Sequence, residues 1–115
     1  MIIRGDEMEK IVEQGLLFDY YGVLLTKRQQ EIYEDAISND LSLSELAETY
    51  GISRQGIHDQ IHRCDKILRE YEEKLGCIEK DRKIRKAALA LKELSAEQSS
   101  EEVFRIAEEI LEQIS

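Results

Sequence analysis

The sequence predicts an all-α protein: a helix-turn-helix bundle with a long recognition helix and two further helices C-terminal to it. Three observations carry this expectation. Apolar residues recur at intervals of three and four along most of the chain, and few segments alternate with period two. There is no proline, the residue that most disrupts a helix interior. Residues 41–63, LSLSELAETYGISRQGIHDQIHR, hold the parts of a DNA-binding helix-turn-helix in the right places.

In that motif a small residue, Ala47, lets the second helix cross the first closely. Gly51, four residues on, suits the left-handed backbone of a tight turn. Ile57, six residues further, pins the second helix to the core, with Leu46 and Ile52 adding apolar contacts. Both helices carry start signals. Ser42 with Glu45 forms a capping box, and Leu41 with Leu46 a hydrophobic staple around it. Ser53 caps the second helix, with Ile52 and Ile57 as its staple.

The elements follow in order. A first helix is expected from a cap at Asp6 to about Leu24, its apolar face made of Leu16, Leu17, Tyr20, Tyr21 and Leu24. Gly15 and Gly22 weaken it and mark close helix contacts. Its cluster of Phe18, Tyr20 and Tyr21 reads as core or interface rather than a base-stacking platform. Thr26, with Gln29 at the capping-box position, opens a second helix that buries Ile32, Tyr33, Ala36 and Ile37. Ser38, Asn39 and Asp40 end it. The third helix covers about 43–50.

A fourth starts at Arg54 and meets no stop signal until Gly76, which makes it about 33 Å long at 1.5 Å per residue. Ile57, Ile61, Cys64, Leu68, Tyr71 and Leu75 fall in a stripe about 80° wide on that helix. A fifth helix is expected from Glu79 to Leu94, with an apolar stripe of Ile84, Ala87, Ala88, Leu91 and Leu94. After a polar break at 95–100, Ser99 and Glu102 open a last helix. Its Val103, Ile106, Ala107, Ile110, Leu111 and Ile114 form one apolar face, which must be buried on its own domain or on a second chain.

At 115 residues the chain is expected to form one small helix-turn-helix domain, residues 1–76, with a helical extension at 77–115 that packs or dimerises. No run is long enough to span a membrane, and there is no leader with a cleavage site. Cys64 and Cys77 do not make a secreted disulfide framework, so the expected home is the cytoplasm. The net charge of −9 argues against simple nucleic-acid binding. Its distribution is uneven. Lys80, Arg82, Lys83, Arg85, Lys86 and Lys92 form a basic block, followed by an acidic tail of Glu93, Glu97, Glu101, Glu102, Glu108, Glu109 and Glu112. These read as two solvated faces, or as faces that pair within a chain or across a dimer.

Little in the sequence suggests catalysis. The six glycines are scattered and build no phosphate loop. His58 and His62 have a spacing that can hold a metal, but Cys64 lies on the other face and no third ligand is evident. No metal or cofactor is therefore expected. Cys64 belongs to the apolar stripe and reads as inert packing. The acidic residues form no acid/base constellation, so no enzyme is expected. Opposite the apolar stripe, the fourth helix offers a polar face. Ser53, Arg54, Gln55, His58, Asp59 and His62 are the candidates to face base edges, and Arg63, Lys66 and Arg69 to lie nearer phosphates.

The run LLFDYYGVLLTKRQQEIYE, followed by LSLSELAETYGISRQGIHDQIHRCDKILREYEEKLG, resembles the YlxM family of bacterial helix-turn-helix proteins over about residues 10–76. More broadly, residues 26–70 resemble region 4 of sigma factors, which reads a promoter element. The resemblance implies a small cytoplasmic bacterial regulator with a role in the signal recognition particle pathway. Two partners are then in view, DNA or the RNA or protein components of that particle. A homodimer is also expected, because the stripes of the fourth and last helices exceed what one small domain buries.

Overall fold

The computed structural model describes residues 5–94 and 100–114. Among the described residues every regular element is helical, as the periodicity predicts. The order is α1 (Gly5–Tyr21), a 3₁₀ turn (Gly22–Leu24), α2 (Lys27–Ile37), α3 (Leu43–Tyr50), α4 (Arg54–Leu75), α5 (Cys77–Glu93) and α6 (Ser100–Ile114). The chain divides into two compact units on either side of the Leu75–Gly76 junction.

In the N-terminal unit α4 is the central element, packed on by α1, α2 and α3. The core cluster is Ile32, Leu46 and Ile57, with Leu41, Ala47, Tyr50 and Ile52 closing around it. The first helix stops three residues short of its expected end. Gly22 opens the tighter turn, and a Cβ there would come within 2.8 Å of the Phe18 ring. Gly15 makes no such close approach: nothing lies within 4 Å of its would-be Cβ. The register shift moves burial from Leu24, which is 50% exposed, to Leu25. Phe18 and Tyr21 pack inward, Phe18 against Tyr33 and Tyr21 stacked on Tyr71, so the aromatics serve the fold.

Local signals set the boundaries of α2, α3 and α4. Thr26 and Gln29 make the reciprocal capping box, with Thr26 Oγ1 accepting from Gln29 N and Gln29 Oε1 from Thr26 N. Ser42 Oγ accepts the Glu45 amide at 3.1 Å, which fixes the start of α3. Ser53 Oγ accepts the Gly56 amide at 3.0 Å, which fixes the start of α4. Between them Gly51 sits at φ 68, ψ 31, and its amide donates to the Ala47 carbonyl. A side chain at that backbone conformation costs about 1–2 kcal/mol, so the turn favours glycine. Along α4 the apolar stripe is buried at Ile57, Cys64 and Leu68 but not at its end, where Leu75 is 58% exposed.

The C-terminal unit is the pair α5 and α6, packed on each other. Gly76, at φ 62, precedes α5, which starts at Cys77, two residues earlier than expected. Ala87 and Ile106 are the buried residues of the pair. Ala88 is exposed, so it does not belong to the buried stripe. Only part of the α6 apolar face is covered: Ile106 is buried, whereas Val103, Phe104, Leu111 and Ile114 remain exposed. Lys83 and Lys86 of α5 line one groove with Glu109 and Glu112 of α6, so basic and acidic helices face each other within this unit. The Ser99 cap lies outside the described residues.

Candidate nucleic-acid interface

The polar face of α4 follows from its buried face. With Ile57, Cys64 and Leu68 turned into the bundle, residues about half a turn away must meet solvent. All nine candidates, Ser53, Arg54, Gln55, His58, Asp59, His62, Arg63, Lys66 and Arg69, are exposed. From Arg54 to Arg69 they extend along about 22 Å of helix axis at 1.5 Å per residue, so the face has two ends with different neighbours.

The N-terminal end is organised by its own side chains. Ser53 uses its oxygen as the α4 cap and is foremost a structural residue. Gln55 Nε2 donates to Asp59 Oδ1 at 2.9 Å. The same Asp59 oxygen lies 3.8 Å from His58 Nδ1. One turn on, the His58 and His62 Nε2 atoms are 3.1 Å apart. The far end meets α1. Arg69 Nε lies 3.6 Å from Glu13 Oε1. His62, Lys66 and Arg69 line an open cleft of about 540 Å³ together with Lys10, Glu70 and Glu73. Carboxylates thus share the far end with the cations.

Sequence reasoning missed what holds this helix in place. Asp65, on α4, is only 7% exposed. Gln14 Nε2 of α1 donates to both its carboxylate oxygens, at 3.0 and 3.2 Å. The Tyr33 hydroxyl of α2 donates to Oδ1 at 2.5 Å. One buried carboxylate therefore ties three helices. Burying a charge is costly unless its lone pairs are filled, and here two side chains fill them. Burial, and then the bond to Asp65, push the Tyr33 phenol pKa well up, so the hydroxyl stays a donor. Burial also raises the Cys64 thiol to about 11, which keeps it protonated and unreactive. The available signal was a pair of polar residues, Gln14 and Asp65, on otherwise apolar helix faces.

A second unforeseen feature braces the helix-turn-helix. Tyr50, at the end of α3, donates its hydroxyl to Asp35 Oδ2 of α2 at 2.5 Å. Arg28 Nη2 donates to the Tyr50 carbonyl at 3.3 Å, and its guanidinium lies over the Tyr50 ring at 5.8 Å. The hydrogen bond to Asp35 pushes the Tyr50 phenol up to about 12. The same bond, helped by Asn39, holds Asp35 below the usual carboxylate value.

A profile of the UPF0122 family, described as "Putative helix-turn-helix protein, YlxM / p13 like", matches residues 8–110. The chain belongs to this family. It is 52% identical over 73 residues to a UPF0122 protein of Acetivibrio thermocellus, covering 64% of this chain and 62% of that relative's length. A UPF0122 protein of Thermoanaerobacter sp. strain X514 is 38% identical over 103 residues, covering 86% of this chain and 88% of the relative. One from Bacillus cereus strain AH187 is 37% identical over 105 residues, covering 90% and 96%. The UPF0122 match runs through the helix-turn-helix and on into α5 and α6, further than the resemblance over residues 10–76. Among the described residues no helix is long and apolar enough to cross a membrane.

Proposed function

We propose that the protein is a cytoplasmic DNA-binding regulator that reads a major groove with the N-terminal half of α4 and acts on the signal recognition particle pathway. The observation that supports this most is the exposure of all nine candidates on a helix whose opposite face is buried in a helix-turn-helix. Arg54 would bind a guanine edge and Gln55 an adenine edge, with Gln55 first releasing Asp59. His58, Asp59 and His62 would face neighbouring base edges. Arg63, Lys66 and Arg69 would neutralise phosphates. The test is selection from a random DNA pool. Arg54→Ala is expected to weaken binding by about 1–3 kcal/mol and to relax one base position. An unchanged preference in the variant contradicts the assignment.

Residues 77–115 would join two such chains. The exposed Phe104, Leu111 and Ile114 on α6 support a homodimer, because an apolar face of that size is rarely left in water. Two-fold symmetry would pair two α4 helices, as half-site reading requires. Sedimentation at micromolar concentration is expected to give a dimer, and Phe104→Glu to give a monomer. A monomeric wild-type protein contradicts this.

The net charge of −9, with Glu70 and Glu73 beside Lys66 and Arg69, disfavours a polyanion and supports a second reading. There the same surface contacts a component of the signal recognition particle without reading DNA sequence, and the charge favours a protein subunit over the RNA. Recovery of those components by the tagged protein without added nucleic acid would favour this reading over the first.

A further inference from the structure

Two imidazoles on the exposed face of α4 are arranged as more than solvent-facing side chains. The His58 and His62 Nε2 atoms lie 3.1 Å apart, with ring centroids separated by 4.3 Å and planes tilted by 48°. Histidine nitrogens bind zinc at about 2.0–2.1 Å. Two such nitrogens on one ion are therefore about 2.9 Å apart at a right angle and about 3.4 Å apart at a tetrahedral angle. The observed separation falls between these values, so an ion can bridge the pair without moving the helix backbone.

A neighbouring carboxylate favours the required tautomer of His58. A metal-bound Nε2 needs its proton on Nδ1, and a carboxylate beside Nδ1 stabilises that form. Asp59 Oδ1 lies 3.8 Å from His58 Nδ1 and is held by Gln55 Nε2 at 2.9 Å. We propose that His58 and His62 form a two-histidine chelate for a late first-row divalent cation, with Asp59 as a positioning residue for His58. Imidazole selects copper(II), nickel(II) and zinc(II) over magnesium or calcium, with copper(II) bound tightest. Among the described residues no group of three or more His, Cys, Asp or Glu side chains converges for a metal. Water completes the coordination, and the ion keeps open positions facing solvent. Where one Nε2 carries a hydrogen toward the other, that proton passes through water to Nδ1 of the same ring as the ion binds. The site stands whether or not this face meets nucleic acid.

The test uses the full chain without a histidine tag and with Cys77→Ser, because Cys77 is an exposed thiol that also binds such metals. Copper(II) and zinc(II) salts are titrated by calorimetry, with circular dichroism as a check that the helices persist. One ion per chain is expected for each metal, copper tighter than zinc. His58→Gln and His62→Gln should each weaken binding at least tenfold, and Asp59→Asn by less. Because the two nitrogens converge only across a folded helical turn, copper should raise the melting temperature of the parent and not of either histidine variant. Equal binding by the parent and both variants, or no binding below millimolar metal, overturns the proposal.

Discussion

Leu46→Ala is expected to destabilise the N-terminal unit by about 2–5 kcal/mol, the range for removing a fully buried leucine side chain. Leu46 is 0% exposed and sits with Ile32 and Ile57 at the crossing of α2, α3 and α4. The cavity it leaves is walled by side chains from all three helices, so the crossing cannot close over it without tilting α4. A small domain is stable by only about 5–15 kcal/mol, so this one change removes a large share. Urea denaturation followed by circular dichroism checks it: the midpoint should fall with an unchanged slope. Glu48→Ala, on the exposed side of α3, is the matched control and should shift stability by no more than about 0.5 kcal/mol. A Leu46→Ala midpoint equal to that of the control would show that α3 does not pack as described.

Asp65→Ala should cost nearly as much by a different route. It strands the Tyr33 hydroxyl and the Gln14 amide in the interior, at about 1–3 kcal/mol for each group left without a partner. Asp65→Asn keeps an acceptor in the same place and should recover part of the loss. A double-mutant cycle of Asp65→Ala with Tyr33→Phe separates the pair, because the second change removes the group that the first one strands. Strictly additive losses would mean that the two side chains do not interact. The same bond has a pH signature. The folded pKa of Tyr33 lies above its ordinary value of 10.0. Its contribution is therefore complete below pH 10 and is lost as the pH rises through the folded value. Alkaline unfolding should begin above about pH 10 in the wild type, with this component absent from Tyr33→Phe.

The contrast between these two sites shows what was legible in the sequence. Leu46 was readable because its position follows from neighbours within one or two turns: Ser42 as cap, Gly51 as turn, Ile57 as pin. Caps and turns are local, and Thr26, Ser42, Gly51 and Ser53 all act as their residue types predict. Asp65 was not readable, because its partners Gln14 and Tyr33 lie 51 and 32 residues away. No local pattern says that these polar groups will meet inside a core. The same limit explains the end of α1. Helical spacing assigned Leu24 to the buried face, but the break at Gly22 and the packing of Phe18 rotated the chain and buried Leu25 instead. It explains α6 as well: periodicity showed an apolar face, and only tertiary structure showed how little of it α5 covers.

For the candidate interface, the wheel located the exposed side of α4 but not what its side chains do to one another. That Gln55 holds Asp59, that Arg69 pairs with Glu13, and that the two histidines converge are properties of rotamers and of a second helix. They also rank the candidates. Ser53 is engaged as a cap, and Arg69 must leave Glu13 to reach a phosphate.

The most direct test of the central claim is capture of fragmented genomic DNA by the tagged protein near physiological salt, with sequencing of what elutes. The account predicts enrichment of a small set of fragments sharing one motif, weakened and relaxed at one base position when Arg54 is replaced by alanine. No enrichment from a protein whose helical content is intact would contradict it, and would turn the exposed face of α4 toward RNA or protein.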